Sequence, residues 1–185
     1  MRHVLIRTAL IRLAVVGAAA IALPGCAALM QQSPGPDNPT PSAHRKVSSQ
    51  EPVKMTAEES KVLAATNAYR KGLGLSALEP DARLTAIARL RSQDMARRNY
   101  FAHETPEGGD VFAILRSSQF RFWAAGENLA RNNYDMAMVP DVAMAGWIKS
   151  PGHRANLVHP AFGRLGVGMA VAKDGKKYLT QVFTD

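Results

Sequence analysis

A chain of 185 residues with 23 Lys and Arg against 15 Asp and Glu, a formal +8, has room for one sizeable domain and little besides. The basic residues are scattered and no aromatics interleave with them, which argues against nucleic-acid binding and leaves anionic lipid or a cell-wall polymer as compatible neighbours. Cys26 is the only cysteine, so an intramolecular disulfide is excluded.

Arg2, Arg7 and Arg12 lead into a nearly continuous apolar run from Leu13 to Leu23, followed by Gly25 and Cys26. A basic stretch, a short apolar core and a small-residue cleavage point make an export signal. The run is too short to span a bilayer. Leu23-Pro24-Gly25-Cys26 resembles a bacterial lipobox. That resemblance implies removal of residues 1–25, lipid on the Cys26 sulfur and acylation of the new amino terminus, palmitate included. Two or three acyl chains anchor firmly where one binds only marginally. Ala27 in place of aspartate after Cys26 favours the outer membrane in a cell that has one; a secreted protein is the alternative. Without its three arginines the mature chain has 20 basic and 15 acidic residues, or +5.

Residues 26–54 then read as the lipidated cysteine and a disordered tether, with prolines at 34, 36, 39, 41 and 52 among polar residues. Such a stretch buries too little apolar surface to offset its ordering entropy. The folded domain is expected over 55–185.

Thr56-Ala57-Glu58-Glu59 is a capping box. The helix it opens carries Val62, Leu63, Thr66, Tyr69 and Leu73 on one stripe and stops at Gly72 or Gly74. Pro80 and Asp81 open a second helix, whose apolar side uses Leu84, Ile87, Ala88, the stem of Arg91, and Met95; Arg97 to Asn99 end it. A loop from Tyr100 to Gly109 comes next, its aromatics set into the core. Asp110 caps a third helix from Val111 to about Ser118. Within Phe120 to Ala130 the pattern predicts a strand with Glu127 at or near its end. A fourth helix starts at Pro140 or Asp141 and runs through Val142, Ala145, Trp147 and Ile148. Two strands, Leu165 to Ala172 and Tyr178 to Thr184, flank Asp174-Gly175, a strong hairpin signal. Gly166 and Gly168 inside a strand point to something packed close on the backbone. Helices first and a hairpin last predict an α+β fold, a small antiparallel sheet covered by about four helices.

Between the fourth helix and the hairpin lies Ser150-Pro151-Gly152-His153-Arg154-Ala155-Asn156-Leu157. Ser150 and Pro151 suit the cap and first position of a short helix. His153 then sits in the first turn, where the helix dipole favours neutral imidazole. It is either a metal or proton acceptor or a polar anchor of its loop. His103, Glu127 and His153 would match an open zinc site if they met; equally, Glu127 and Asn128 could pin loop backbone. There is no His-Glu-x-x-His pair, no Gly-x-Ser-x-Gly turn and no thiol left after lipidation. Ser150 beside His153 is better explained as a helix cap.

Asn67-Ala-Tyr-Arg70, Gly74-Leu75, Phe101-Ala-His103, Gly126-Glu127-Asn128-Leu129, Trp147, Ser150-Pro-Gly-His153-Arg-Ala-Asn156-Leu157, Gly166-Val-Gly168 and Gln181-Val-Phe183 occur in the order of the CAP superfamily (SCP/TAPS). From about residue 57 onward the chain resembles its compact bacterial branch. The resemblance implies an α-β-α sandwich with a cleft of two histidines and two glutamates. His103, Glu127 and His153 match three of these. The second glutamate, expected shortly after Trp147, is absent, where the sequence reads Ile148-Lys149-Ser150.

These readings lead to a lipid-anchored envelope protein with a monomeric domain that binds a lipid, peptide or cell-wall component in the cleft. Candidate metal ligands are His103, Glu127 and His153, with Asn128, Ser150 and Asn156 as cleft support. No cofactor is fixed; zinc is the candidate. One alternative is a zinc-dependent peptidase or esterase with Glu127 as base. The other is a structural envelope module. Since fold does not fix function, an enzyme is the less favoured reading.

Overall fold

The computed structural model describes residues 5–8, 12–13 and 54–185. Cys26 and nearly all of the tether lie outside them, as does most of the leader. Within the domain the chain runs α1 (Ala57–Gly72), β3 (Glu79–Pro80), α2 (Ala82–Arg98), α3 (Val111–Ser117), β4 (Ala124–Asn132), a 3-10 turn (Met136–Met138), α4 (Val139–Lys149), α5 (Pro151–Leu157), β5 (Arg164–Val171) and β6 (Lys177–Thr184). Two N-terminal segments, β1 (Leu5–Thr8) and β2 (Arg12–Leu13), pair antiparallel with β4.

The sheet has the order β1-β4-β6-β5-β3, with β2 also on β4. The β4–β6 and β5–β6 ladders are antiparallel, each covering eight residue pairs. Only the two-residue β3 pairs parallel, with β5; its Pro80, expected to open the second helix, precedes the Asp81 cap from which α2 starts. Period-2 alternation sends successive residues to opposite faces. Ala124, Ala130, Leu179 and Phe183 face one core with Val62, Ala143, Trp147 and Leu157 from α1, α4 and α5. Ala125 and Val182 face another with Leu84, Ile87 and Ala88 from α2. The result is the expected α-β-α sandwich.

Local rules account for most boundaries. At α1 the Thr56 side chain accepts from Glu59 N–H while Glu59 accepts from Thr56 N–H, a complete capping box. Asp81 Oδ1 accepts from the N–H groups of Arg83 and Leu84, and Asp110 Oδ1 from that of Ala113 at 2.7 Å. Arg70 on α1 donates to the carbonyls of Ser76, Leu157, His159 and Phe162, clamping the loop after α5 onto the helix. Gly166 and Gly168 are where α2 crosses β5. A Cβ on Gly168 would lie 2.2 Å from Arg89 N and 2.3 Å from Ala88 C, and one on Gly166 2.1 Å from Leu84 C. Backbone on both sides leaves no room to yield.

Three expectations need correction. β4 extends to Asn132, so Glu127 stands mid-strand rather than at an end. α4 begins at Val139 and buries Val139, Pro140, Ala143, Met144 and Trp147, leaving Ala145 exposed. The short 3-10 turn Met136–Met138 leads directly into it. On α1, Leu73 is exposed, because the helix ends one residue earlier and Leu73 is its C-cap.

Candidate functional site on both faces of the β4 strand

The Gly126-Glu127-Asn128-Leu129 run distributes its chemistry by alternation. Glu127 points to the α2 face and is fully buried. Its Oε1 accepts from Arg91 Nε at 3.0 Å and its Oε2 lies 2.7 Å from His103 Nδ1. Arg91 is 1% exposed, and it is more than a stem in an apolar stripe. Its Nη2 donates to the carbonyls of Ala102 and His103 at 2.9 and 2.8 Å, and its Nη1 to Tyr100 Oη. The Tyr100 hydroxyl donates in turn to Asp94 Oδ2 at 2.7 Å. One guanidinium therefore fixes both the carboxylate and the backbone that carries His103. Burial acts to lower the Arg91 pKa, but the charge and hydrogen bond of Glu127 outweigh it, and the net shift is upward. Burial, and the hydrogen bond to Asp94, push Tyr100 up to about 12.

His103 keeps only 17% of its side chain exposed, and its Nε2 is buried with no hydrogen-bond partner. With Glu127 ionised, Nδ1 is the donor of their shared hydrogen bond, which sets the tautomer. The neutral ring then presents the Nε2 lone pair; the protonated ring presents an N–H.

Asn128 points to the other face. Its Nδ2 donates to the His153 carbonyl at 3.2 Å and to Gln181 Oε1 at 3.1 Å, and its Oδ1 accepts from Asn156 Nδ2 at 2.9 Å. Asn156 Nδ2 also reaches the Glu127 carbonyl at 3.1 Å, and Gln181 continues the chain to Thr66 Oγ1 at 2.8 Å. Gly126 makes room for this contact: a Cβ there would lie 2.8 Å from Asn156 Oδ1. Trp147 Nε1 donates to the Leu129 carbonyl at 3.0 Å. His153 is fully buried, with Nδ1 2.7 Å from Ser150 Oγ.

Ser150 is thus not a side-chain cap. It stands at the N-cap with extended backbone but makes no cap hydrogen bond, because its hydroxyl is taken by the His153 ring. Of the expected cleft supports, Asn156 bonds to Asn128 and to the β4 backbone, while Ser150 bonds to the His153 ring. His103 and Glu127 meet directly, while His153 joins the same strand through Asn128.

A divalent metal fits this arrangement poorly. Both Glu127 oxygens are engaged, one by a cation, and among the described residues no three His, Cys, Asp or Glu side chains gather as a metal-holding group. Arg91, Tyr100 and Gln181 were not singled out by the sequence pattern as site residues. Arg91 carried a legible signal, since an arginine at a core position needs a buried partner.

Comparison with known proteins agrees with the fold. The family model described as the cysteine-rich secretory protein family, CAP, matches residues 63–183. The chain is 38% identical to YkwD of Bacillus subtilis (strain 168) over 117 residues, covering 63% of this chain and 44% of that protein. It is 36% identical to the membrane protein YlbC of the same organism over 128 residues, covering 69% and 34%. The chain thus spans less than half the length of these relatives. A crystal structure of an extracellular protein containing an SCP domain from Bacillus anthracis shares 34% identity with a TM-score of 0.59, over 69% of this chain and 40% of that one. An outer surface protein of Borrelia burgdorferi shares the fold at 20% identity with a TM-score of 0.62, over 71% and 95%. The order of motifs, the sandwich and the match over residues 63–183 agree: the chain belongs to the cysteine-rich secretory protein (CAP) family.

Proposed function

We propose that this protein works at the cell envelope, held by lipid on Cys26, and binds a lipid, peptide or cell-wall component in a cleft beside His103. The observation that carries the reading is the buried, unpartnered Nε2 of His103, held in place by Glu127 and Arg91. A buried polar atom without a partner costs stability, and a ligand that supplies the partner recovers it. The extracellular SCP-domain relative from Bacillus anthracis agrees with an export signal on this chain.

The hydrolase alternative with zinc and Glu127 as base draws no support from a carboxylate already held by a guanidinium and an imidazole. Zinc titrated into the metal-free protein is expected to bind no tighter than roughly millimolar, a non-specific level. Micromolar affinity lost in both His103→Ala and His153→Ala would restore the metal site.

The binding reading is tested with anionic and zwitterionic vesicles and solubilised wall fragments, against wild type and His103→Gln. The expected outcome is saturable binding that weakens about tenfold, the equivalent of one hydrogen bond lost, at unchanged thermal stability. Equal binding by both proteins, or binding by neither, overturns it and leaves the polar groups as braces of the fold. Labelled palmitate incorporated by wild type and absent from Cys26→Ser checks the anchor.

A further inference from the structure

β4 has β6 on one side and, on the other, only the two short N-terminal segments β1 and β2. Its inner side pairs with β6 along eight residues. The Ala124 carbonyl accepts from Asp185 N–H, just past the end of β6, at 3.3 Å. In an antiparallel ladder the N–H and C=O of one residue point the same way and alternate along the strand. Even-numbered residues of β4 therefore direct their backbone groups at β6, and Ala125, Glu127, Leu129 and Arg131 direct theirs outward. Two of the outward carbonyls are met by side chains, Glu127 by Asn156 and Leu129 by Trp147. The outward N–H groups need acceptors from elsewhere.

The leader stands where those acceptors must come from. Leu5–Thr8 runs antiparallel to Asn128–Arg131, with Leu5 opposite Arg131 and Arg7 opposite Leu129, and Arg12–Leu13 lies opposite Ala125 and Ala124. These are the segments that export processing would remove. Their loss leaves a nine-residue strand edge, a template for pairing with another chain.

We propose that this uncovered edge takes an extended segment of a partner polypeptide, antiparallel to β4. The inference rests on the cleft reading above and names its ligand as a strand-forming peptide. Alternate side chains of the added strand fall on the two faces of the sheet. One set lies on the side of His103, whose Nε2 lacks a partner; the other lies on the side of α5. Backbone pairing provides affinity, and the His103 side selects what stands opposite Glu127.

A synthetic peptide of residues 3–14 serves as the probe, titrated into the chain beginning at Ala27. The described members of all three core clusters fall within residues 55–183, so this form keeps the domain. The peptide is expected to bind saturably and to slow amide exchange at Leu129 and Arg131. The same peptide N-methylated at residues 5 and 7 is expected to bind about tenfold more weakly or worse, since ladder hydrogen bonds are lost. No binding, no protection on β4, or equal binding of the methylated peptide overturns the inference. Vesicle and wall-fragment binding, measured on the same protein, separates the two readings. If those ligands bind through His103 and the peptide does not, the strand inference falls and the cleft reading stands. If neither binds, both fall.

Discussion

On the α2 side of β4 the groups bonded to Glu127 include a charged guanidinium; on the α5 side the side chains bonded to Asn128 are neutral amides. Glu127, Arg91, Tyr100 and Asp94 form a run of charge-assisted hydrogen bonds. One residue further along the strand, Asn128, Asn156, Gln181 and Thr66 form a run of amides and a hydroxyl. Both bury most of their polar atoms with partners, as a core requires, and each leaves one buried atom without, His103 Nε2 on one side and Asn156 Oδ1 on the other. They differ in the cost of losing a partner. A neutral amide left alone costs the desolvation of one group, about 1–3 kcal/mol. A buried charge left alone costs more. Charge fixes His103 at a largely buried place, and the amides fix α5 to the strand without introducing any charge.

The largest effect that would break this contrast is Arg91→Met. It strands the Glu127 carboxylate with His103 as its remaining side-chain partner and releases the Ala102 and His103 carbonyls. Removing one member of a buried ion pair costs about 3–5 kcal/mol, read as a lower urea midpoint at unchanged slope. The double variant Arg91→Met/Glu127→Leu is expected to recover most of that loss, because a buried pair and an apolar pair of similar volume are often close in stability. A double variant as unstable as the single one would mean that Arg91 acts through the loop carbonyls rather than through Glu127.

Much of this fold was readable in the sequence because local rules fixed it. The Thr56 capping box, the Asp81 and Asp110 caps and the Asp174-Gly175 hairpin are each decided within a few residues, and the helices and the hairpin arise from them. Gly166 and Gly168 announced a close approach without saying of what, since α2 reaches β5 only through tertiary packing. The site was legible as residue types and hidden as geometry. His103, Glu127 and His153 come from a loop, a strand and a helix, and no spacing rule reports that alternation along β4 sends Glu127 and Asn128 to opposite faces. Ser150 misled for a related reason. Serine before proline suits a helix cap, but the nearby imidazole competes for the same hydroxyl and wins it.

A smaller effect sharpens the contrast through pH. Burial and the Asp94 hydrogen bond raise Tyr100 to about 12, above the value near 10 of an unfolded chain. A group whose folded pKa is raised contributes stability that is complete below the unfolded value and lost as pH rises through the folded one. The charged side should therefore weaken between about pH 10 and pH 12. Tyr100→Phe is expected to cost about 1 kcal/mol at neutral pH, the worth of one hydrogen bond, and to lose less than wild type across that alkaline window. Thermal midpoints of both proteins across the window check this, with phenolate absorbance tracking the titration. Parallel alkaline slopes in the two proteins would remove Tyr100 from the charged run.

The smallest expected effect concerns the neutral side. If the Ser150 hydroxyl were a helix cap, Ser150→Ala would lose about 1 kcal/mol and fray the start of α5. The hydroxyl instead stands 2.7 Å from His153 Nδ1. Its loss is then a hydrogen bond to a buried ring, about 0.5–1.5 kcal/mol, so stability alone does not separate the two roles. The ring nitrogens do. In the capping case the His153 ¹⁵N shifts stay where they are while exchange quickens at the first amides of α5. In the case the structure describes, Nδ1 loses its partner and its shift moves, while those amides keep their protection, because the Arg154 N–H still bonds to the Ser150 carbonyl at 2.8 Å. Ring shifts that move without helix fraying would place Ser150 on the neutral side of β4 as the residue that orients His153, the counterpart there of Glu127 holding His103.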